Sequence, residues 1–393
     1  MQPETSTTRL IATLLVCLFL AGCGARPVTG ALQVSEEDAP GTTKHDILIV
    51  STREKDERPG TYFNGERSML ANYAEAEISV PPGHAAGQIE WPNAAPGNPA
   101  TDFTAREASY LKDRAAWKAD LNKRLMAKPK SERSVFLFIH GYNTLFAEGL
   151  YRFTQFVHDS GFTGVPVHFS WASRGSLTDY VYDLNSALVA RTALQQTVAD
   201  IADSKAENIF ILAHSMGNWL MMETARQLPI KERLQLDRRV TQVILAAPDI
   251  DIDVFKEQLM AMGKPSKPFV ILVSEDDRAL NISQRIAGGK SRVGSYGDGK
   301  ELAELGAIVI NLTSIKGSDV TNHSKFAEIA AAAPQLADVL SQQDLTSFDP
   351  NGPNQIGQAG QDLGSFVLST AQVAVTLPTA LITLPISLAS GRR

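Results

Sequence analysis

Short apolar runs alternate with longer amphipathic segments along most of the chain. The runs are rich in β-branched and aromatic residues and end at polar residues, which is typical of buried strands. The segments between them carry apolar residues at helical spacing. Strands alternating with helices of this length predict an α/β fold, a mainly parallel sheet with helices on both faces. The predicted strands are 47–50, 135–139, 165–170, 209–212, 243–247, 269–273 and 307–312.

Two segments in the first third of the chain do not follow this alternation. Residues 51–102 are polar and punctuated by Pro and Gly, and we interpret them as an edge hairpin with surface loops that includes a short strand at 77–80. Residues 105–128 are strongly charged with a helical period, which predicts a helix with a solvated face. The domain built from these elements is predicted to span residues 45–345.

The strand at 209–212 runs into Ala213-His214-Ser215-Met216-Gly217. This sequence matches the G-x-S-x-G pattern of a serine on a sharp turn between strand and helix, with Ala in the first small position. Small residues are needed there because strand and helix backbones pass close together. Ser215 is therefore a candidate nucleophile, and the N–H of Met216 is a candidate oxyanion donor. A buried strand ending in an ordinary turn serine is the alternative.

A second oxyanion donor is expected after the strand at 135–139. That strand leads directly into His140-Gly141-Tyr142, and a glycine there lets the backbone turn an N–H toward the substrate. Tyr142 is the candidate donor. His140 is interpreted as a structural residue at the strand end.

A serine nucleophile needs a base within hydrogen-bond reach and a carboxylate that orients the base. Ser215, Asp277 and His323 follow one another in the order Ser, acid, His, each after a predicted strand, and His323 is the only histidine beyond Ser215. Asp249 ends the preceding strand and is a competitor for the acid. The spacing from Ser274 to Asp277 favours Asp277.

These motifs carry a family resemblance over roughly residues 45–341. The chain resembles a bacterial family of esterase/lipase-like α/β-hydrolases of largely unknown function. The resemblance implies the α/β-hydrolase fold and a Ser-His-Asp triad, and it says less about the substrate. The motifs that carry it are Phe138-Ile139-His140-Gly141-Tyr142-Asn143, Phe169-Ser170-Trp171, Ala213-His214-Ser215-Met216-Gly217-Asn218, Asp276-Asp277-Arg278-Ala279-Leu280 and His323-Ser324.

Composition narrows the function classes. The 393 residues are 44% hydrophobic and 20% charged with a net charge of −6, which is ordinary for a globular protein and argues against nucleic acid as a partner. No Cys/His cluster has the spacing of metal ligands. We therefore expect a site that works without metal or cofactor.

The N-terminus predicts export and a lipid anchor. Arg9 precedes an apolar run at 10–20, too short to span a bilayer, which ends in small residues before Cys23. This resembles the lipobox of bacterial lipoproteins, so residues 1–22 are predicted to be a signal peptide and 23–44 a tether. Cys23 would then carry lipid and hold the protein at a membrane of the cell envelope, facing the periplasm. A plain secretory signal is the alternative.

The last segment, 346–393, is predicted to be an apolar tail. Residues 363–391 contain no charged side chain, but Pro378 and Pro385 interrupt them. A membrane span, a membrane-surface or partner-binding segment and a loosely ordered tail all remain open.

Three function classes follow. The favoured one is a serine hydrolase that cleaves carboxylic esters of small molecules or lipids through an acyl-enzyme. The alternatives are an amidase or thioesterase using the same residues, and a non-catalytic, lipid-anchored binding protein of the envelope.

Overall fold

One sheet runs through the described part of the chain. A computed structural model describes residues 29–263, 267–317, 319–328, 330 and 374–376. Their strands form one sheet in the order β10-β9-β8-β7-β6-β4-β5-β1-β2-β3. Strands β1, β5, β4, β6, β7, β8 and β9 run parallel to one another, whereas β2, β3 and β10 pair antiparallel at the two edges. The strands are β1 (Thr43–Asp56), β2 (Tyr62–Val80), β3 (Thr104–Leu111), β4 (Ser134–Ile139), β5 (Val165–Ser170), β6 (Asn208–His214), β7 (Gln242–Ala246), β8 (Phe269–Val273), β9 (Ala307–Asn311) and β10 (Ala374–Thr376).

Helices connect the parallel strands. Short 3₁₀ turns lie at Lys130–Glu132, Leu177–Asp179, Val293–Ser295 and Lys325–Ala327. The α-helices are α1 (Arg114–Met126), α2 (Phe146–Asp159), α3 (Tyr180–Ala202), α4 (Met216–Gln227), α5 (Ile230–Arg239), α6 (Ile252–Met262), α7 (Arg278–Ile286) and α8 (Gly299–Glu304).

The sheet is buried on both faces, as strand β4 shows. All its residues are buried, and successive side chains of a strand point to opposite faces. Val135 and Leu137 join a core with residues of α1, α3, α4 and α6, whereas Phe136 and Phe138 join a second core with residues of α2. Burying each such side chain contributes roughly 1.5–3 kcal/mol. The prediction of a mainly parallel sheet with helices on both faces is confirmed.

The antiparallel edge is larger than the sequence suggested. β1 has 14 residues and β2 has 19. Residues 104–111 form strand β3 and not the start of a helix; the helix begins at Arg114, where the Asp113 side chain accepts a hydrogen bond from the Ala116 N–H. The prediction for 105–128 was wrong in its first part, because pairing with β2 satisfies the β3 backbone and outweighs the local helical period.

Packing also begins before residue 45. Ala31 and Leu32, within the predicted tether, are buried. Leu32 N–H donates to the Gly60 carbonyl (2.9 Å), and the Tyr151 hydroxyl donates to the Ala31 carbonyl (2.5 Å). Within the predicted tail, β10 pairs with β9. No helix within the described ranges is long and apolar enough to cross a membrane.

Parallel strands place their carboxyl ends at one edge of the sheet. Gly141 follows β4, Ser215 follows β6, Asp249 follows β7 and Asp277 follows β8. In sheets of this kind, ligands bind at that edge.

Candidate active site

Ser215 lies at the turn between β6 and α4. Its backbone has φ 53° and ψ −124°, an uncommon and costly conformation for a residue with a side chain. The turn is held from the neighbouring strand, because Ser215 N–H donates to the Ala246 carbonyl (3.0 Å) and the Asp249 N–H donates to the Ser215 carbonyl (3.2 Å). The strain persists because β6, β7 and α4 all constrain the same residue.

Two glycines allow the end of β4 to approach this turn. A Cβ on Gly217 would lie 2.4 Å from the His140 carbonyl oxygen, and a Cβ on Gly141 would lie 2.7 Å from Ser215 Cβ. Both contacts are too short for any side chain, so both positions require glycine. The His-Gly segment after β4 therefore lies directly beside the candidate nucleophile.

Asp277 and His323 form a hydrogen-bonded pair. Asp277 Oδ2 accepts a hydrogen bond from His323 Nδ1 at 2.7 Å, while Asp277 Oδ1 accepts one from the Leu280 N–H (2.9 Å) and so caps α7. The Asp277 side chain is fully buried and that of His323 is 16% exposed. With its proton on Nδ1, the imidazole has Nε2 as an acceptor, the tautomer that a general base requires.

The charge surroundings of His323 favour its protonation. Burial by itself lowers the pKa of this imidazole, but the charge and hydrogen bond of Asp277, with the charges of Asp249 and Asp319, raise the pKa above its ordinary value of 6.5. The imidazolium that forms during proton transfer is stabilised in the same way.

Asp319 builds the loop that carries His323. Its carboxylate accepts hydrogen bonds from the N–H groups of Thr321 (3.1 Å), His323 (3.1 Å) and Ser324 (2.9 Å) and from the Thr321 hydroxyl. Burial raises the pKa of Asp319, but the Thr321 hydroxyl and the N–H groups of Ser324 and His323 lower it overall. His214 supports the loop from the strand side, with Nε2 at 3.2 Å from the His323 carbonyl oxygen. Its ring centroid lies 4.6 Å from that of His323.

Ser215 and His323 line the same cavity, of about 430 Å³. Among the hydrogen bonds of the described residues, none joins Ser215 Oγ to the imidazole. In proteins without bound substrate, such contacts are often long and tighten in the complex. The sequence motifs thus converge on one cavity from three separate loops.

The competing carboxylate, Asp249, lines the cavity but is bonded elsewhere. Its Oδ1 accepts a hydrogen bond from Ser283 Oγ (2.5 Å) and its Oδ2 one from the Tyr180 hydroxyl (3.1 Å), and Arg292 Nε lies 3.3 Å from Oδ1. Burial raises the pKa of Asp249, and the Arg292 charge opposes this.

Asp276, next to the candidate acid, bonds to groups other than His323. Its carboxylate bonds to Ser274 Oγ, Asn322 Nδ2 and Lys325 Nζ (2.6 Å) and not to Arg278. The Asp276 side chain is partly exposed, and it ties the Asp277 loop to the His323 loop.

The two predicted oxyanion donors lie in the segments that follow β6 and β4. Met216 is the first residue of α4, where N–H groups have no partner within the helix. Tyr142 follows Gly141, and its hydroxyl donates to the Leu177 carbonyl (2.6 Å). Asn143, next in the loop, has φ 55° and donates its N–H to Asp183 Oδ2 (3.1 Å).

Arg53 and Asp183 support this loop, and sequence reasoning missed both. Arg53 is fully buried and donates from Nη2 to the Thr144 carbonyl (2.8 Å), from Nη1 to the Ser173 carbonyl (2.6 Å) and from Nε to Ser170 Oγ (2.9 Å). Asp183 Oδ2 accepts from Ser173 Oγ. For Arg53, the available signal was a charged residue three positions after the apolar run at 47–50, at the start of a segment that we interpreted as an edge hairpin with surface loops.

Two further expectations from the sequence concern the lipid anchor at Cys23 and a site without metal. Cys23 lies outside the described residues, so the lipid anchor stays a prediction. No group of three or more His, Cys, Asp or Glu side chains in the described ranges could hold a metal ion.

Comparison with known proteins identifies the family. No match was found among curated proteins. Among solved structures, a lipase B from Aspergillus fumigatus is similar at 10% identity and a TM-score of 0.27, over 42% of this chain and 43% of that chain, too weak to bear on the function. The family model described as alpha/beta hydrolase of unknown function (DUF900) matches residues 113–340, which contain Tyr142, Ser215, Asp277 and His323. The chain belongs to this family of α/β-hydrolases.

Proposed function

We propose that this α/β-hydrolase is a serine hydrolase that cleaves carboxylic esters through an acyl-enzyme. The observation that carries the proposal is the buried Asp277–His323 pair, which lines the same cavity as Ser215. The cavity volume of about 430 Å³ lies in the range of about 300–1,000 Å³ typical of small-molecule sites.

In the proposed acylation step, Ser215 Oγ attacks the ester carbonyl carbon and His323 Nε2 takes the hydroxyl proton. Asp277 holds the ring in the working tautomer and stabilises the imidazolium. The carbonyl oxygen becomes an oxyanion, which the N–H groups of Met216 and Tyr142 would stabilise. Each donor of this type contributes about 10²- to 10³-fold to turnover.

The tetrahedral intermediate then collapses. The ester C–O bond breaks, the imidazolium returns its proton to the leaving alkoxide, and the acyl group stays on Ser215. In deacylation, His323 takes a proton from water, hydroxide adds to the acyl carbon, and Ser215 leaves with the proton. The same residues could cleave thioesters or amides, and the leaving group decides which reaction is fastest.

The test is hydrolysis of p-nitrophenyl butyrate by the full chain with no metal added. We expect measurable turnover in the wild type and a loss of about 10⁴-fold or more in Ser215→Ala. A fluorophosphonate should label Ser215 covalently. The thioester and anilide with the same acyl group, assayed in parallel, rank the leaving groups.

Ser68→Ala is a matched control, because its hydroxyl bonds to the Leu70 carbonyl (2.6 Å) and does not line the cavity. This variant should keep wild-type activity and labelling. Activity that survives Ser215→Ala but disappears with EDTA would contradict the mechanism.

A further inference from the structure

Arg53 and Arg152 both lie near the candidate active site, and they differ in how their N–H groups are used. Arg53 is fully buried, whereas Arg152 is partly buried. Arg53 donates hydrogen bonds from all three nitrogens. The acceptors are Ser170 Oγ and the carbonyls of Asn64, Ser173 and Thr144, and Nη2 also lies 3.3 Å from His140 Nε2. Its hydrogen-bonding capacity is filled by the fold. We therefore assign Arg53 a structural role.

Arg152, on α2, lines the cavity itself and is only partly satisfied. Its Nη1 donates to the Gly87 carbonyl (2.9 Å) and to Gln155 Oε1 (2.9 Å). Within the described residues, Nε and Nη2 have no acceptor, and no carboxylate oxygen lies within 4.0 Å of the guanidinium. Burial lowers the pKa of Arg152, although Glu328, Asp319, Asp159 and Glu148 oppose this at longer range.

The Nε and Nη2 edge of the Arg152 guanidinium has no acceptor in the described part of the chain. Other arginines of this protein use the same two nitrogens to bind carboxylates. Nε and Nη2 of Arg114 hold the two oxygens of Asp200 at 2.7 Å each. The same two nitrogens of Arg174 hold Glu66 at 3.0 and 3.1 Å. Two parallel N–H groups match the geometry of a carboxylate or phosphate. The edge on Arg152 is therefore suited to a bidentate oxyanion.

The carboxylates that line the cavity do not compete for this edge, because each is bonded elsewhere. Glu148 Oε2 accepts a hydrogen bond from the Leu145 N–H (2.7 Å). Asp319 accepts hydrogen bonds from backbone N–H groups of its own loop. Asp249 accepts hydrogen bonds from Ser283 and Tyr180 and forms an ion pair with Arg292. A ligand therefore meets donor groups at Arg152 within a lining that is otherwise largely apolar, including Ile89, Trp91, Phe138 and Phe326.

We propose that Arg152 binds an oxyanion on the substrate, so that the preferred esters carry a carboxylate or phosphate group. This inference rests on the function proposed above, since Arg152 and Ser215 line one cavity. The guanidinium would bind the anionic group through Nε and Nη2 while the apolar lining contacts the carbon chain. Arg152 would then set specificity and take no part in proton transfer.

The first test compares two esters of nearly equal size, the p-nitrophenyl monoester of glutaric acid and its methyl diester. In the wild type we expect the monoester to be preferred. In Arg152→Gln we expect kcat/KM for the monoester to fall about 10- to 100-fold, mainly through KM, with less than about threefold change for the diester. Arg152→Lys should restore part of the loss, and Arg238→Gln, which alters an exposed arginine, should change neither ester. Equal losses on both esters would overturn the proposal.

A binding measurement separates this inference from the esterase proposal and from misfolding. Calorimetry on the wild-type protein should detect glutarate and not the neutral glutaramide, whether or not any ester turns over. Propyl phosphate in a third titration shows which oxyanion is preferred. Equal binding, or no binding, of glutarate and glutaramide to protein that a fluorophosphonate still labels would refute the role of Arg152 and leave the proposed triad intact.

Discussion

Two buried carboxylates follow adjacent parallel strands, Asp249 after β7 and Asp277 after β8, yet their surroundings differ. Asp249 accepts hydrogen bonds from two hydroxyls and pairs with the guanidinium of Arg292. Asp277 bonds to the helix α7 N-terminus and to His323. Both carboxylates thus follow a parallel strand. They differ in the partner that a distant segment of the chain supplies.

The comparison also explains why one of these carboxylates suits a triad. A triad acid must face an imidazole whose proton moves. The Asp249–Arg292 pair contains no imidazole and has 2% and 6% side-chain exposure, so it ties the loop after β7 to the segment near Arg292. We interpret Asp249 as a structural carboxylate and Asp277 as the candidate acid.

The largest effect is expected for Asp277→Asn. Turnover of p-nitrophenyl butyrate should fall by about 10⁴-fold, because the imidazole loses its working tautomer and the charge that stabilises the imidazolium. The amide oxygen can still accept from the Leu280 N–H, so circular dichroism should show an intact fold. Near wild-type turnover in Asp277→Asn, with Asp249→Asn inactive, would assign the acid to the earlier strand.

An intermediate effect, on stability more than on turnover, is expected for Asp249→Asn. The asparagine keeps hydrogen bonds to Ser283 and Tyr180 but leaves the Arg292 charge buried without its partner. The free energy of unfolding in urea should fall by roughly 1–3 kcal/mol, while turnover stays within about tenfold of wild type. Adding Arg292→Met should recover part of the stability, and additive losses in the double variant would show that the pair is not coupled.

The smallest effect is a shift of the acid limb of kcat/KM. His323 must be neutral to act as the base, so activity is present above its pKa and is lost as the pH falls through it. Because nearby carboxylates raise this pKa, the limb should lie above pH 6.5 in the wild type. Asp249→Asn should move it slightly downward. In Asp277→Asn, the carboxylate that opposes the effect of burial on the pKa of His323 is gone, so NMR titration of His323 should show the larger downward shift. A limb at the same pH in all three proteins would contradict the assignment.

The sequence predicted the central part of the fold well, for a physical reason. Strands β4 to β9 are buried on both faces, so their apolar runs show in the residues themselves. The elbow was recognisable from Ala213 and Gly217 because close backbone approach restricts these positions to small residues. The order of Ser215, Asp277 and His323 is likewise a property of the chain.

The antiparallel edge was harder to predict from the sequence. Strands β2 and β3 carry many partly exposed polar residues, so the apolar signal was diluted and the charged period at 105–111 resembled a helix. Arg53 lies on a strand of this edge. Its role depends on acceptors from β5, from the Ser173 region and from the loop after β4, which are far apart in the chain.

By itself, the sequence determined the parallel α/β core, the small residues that the elbow needs and the set of groups able to carry a triad, because each of these is a local constraint of size, polarity or order. The tertiary structure decided which carboxylate faces His323, which arginine has all its nitrogens bonded within the fold, and which has two nitrogens without an acceptor among the described residues. Those outcomes depend on hydrogen bonds between segments tens to more than a hundred residues apart, such as Asp277 with His323 and Arg53 with Ser173.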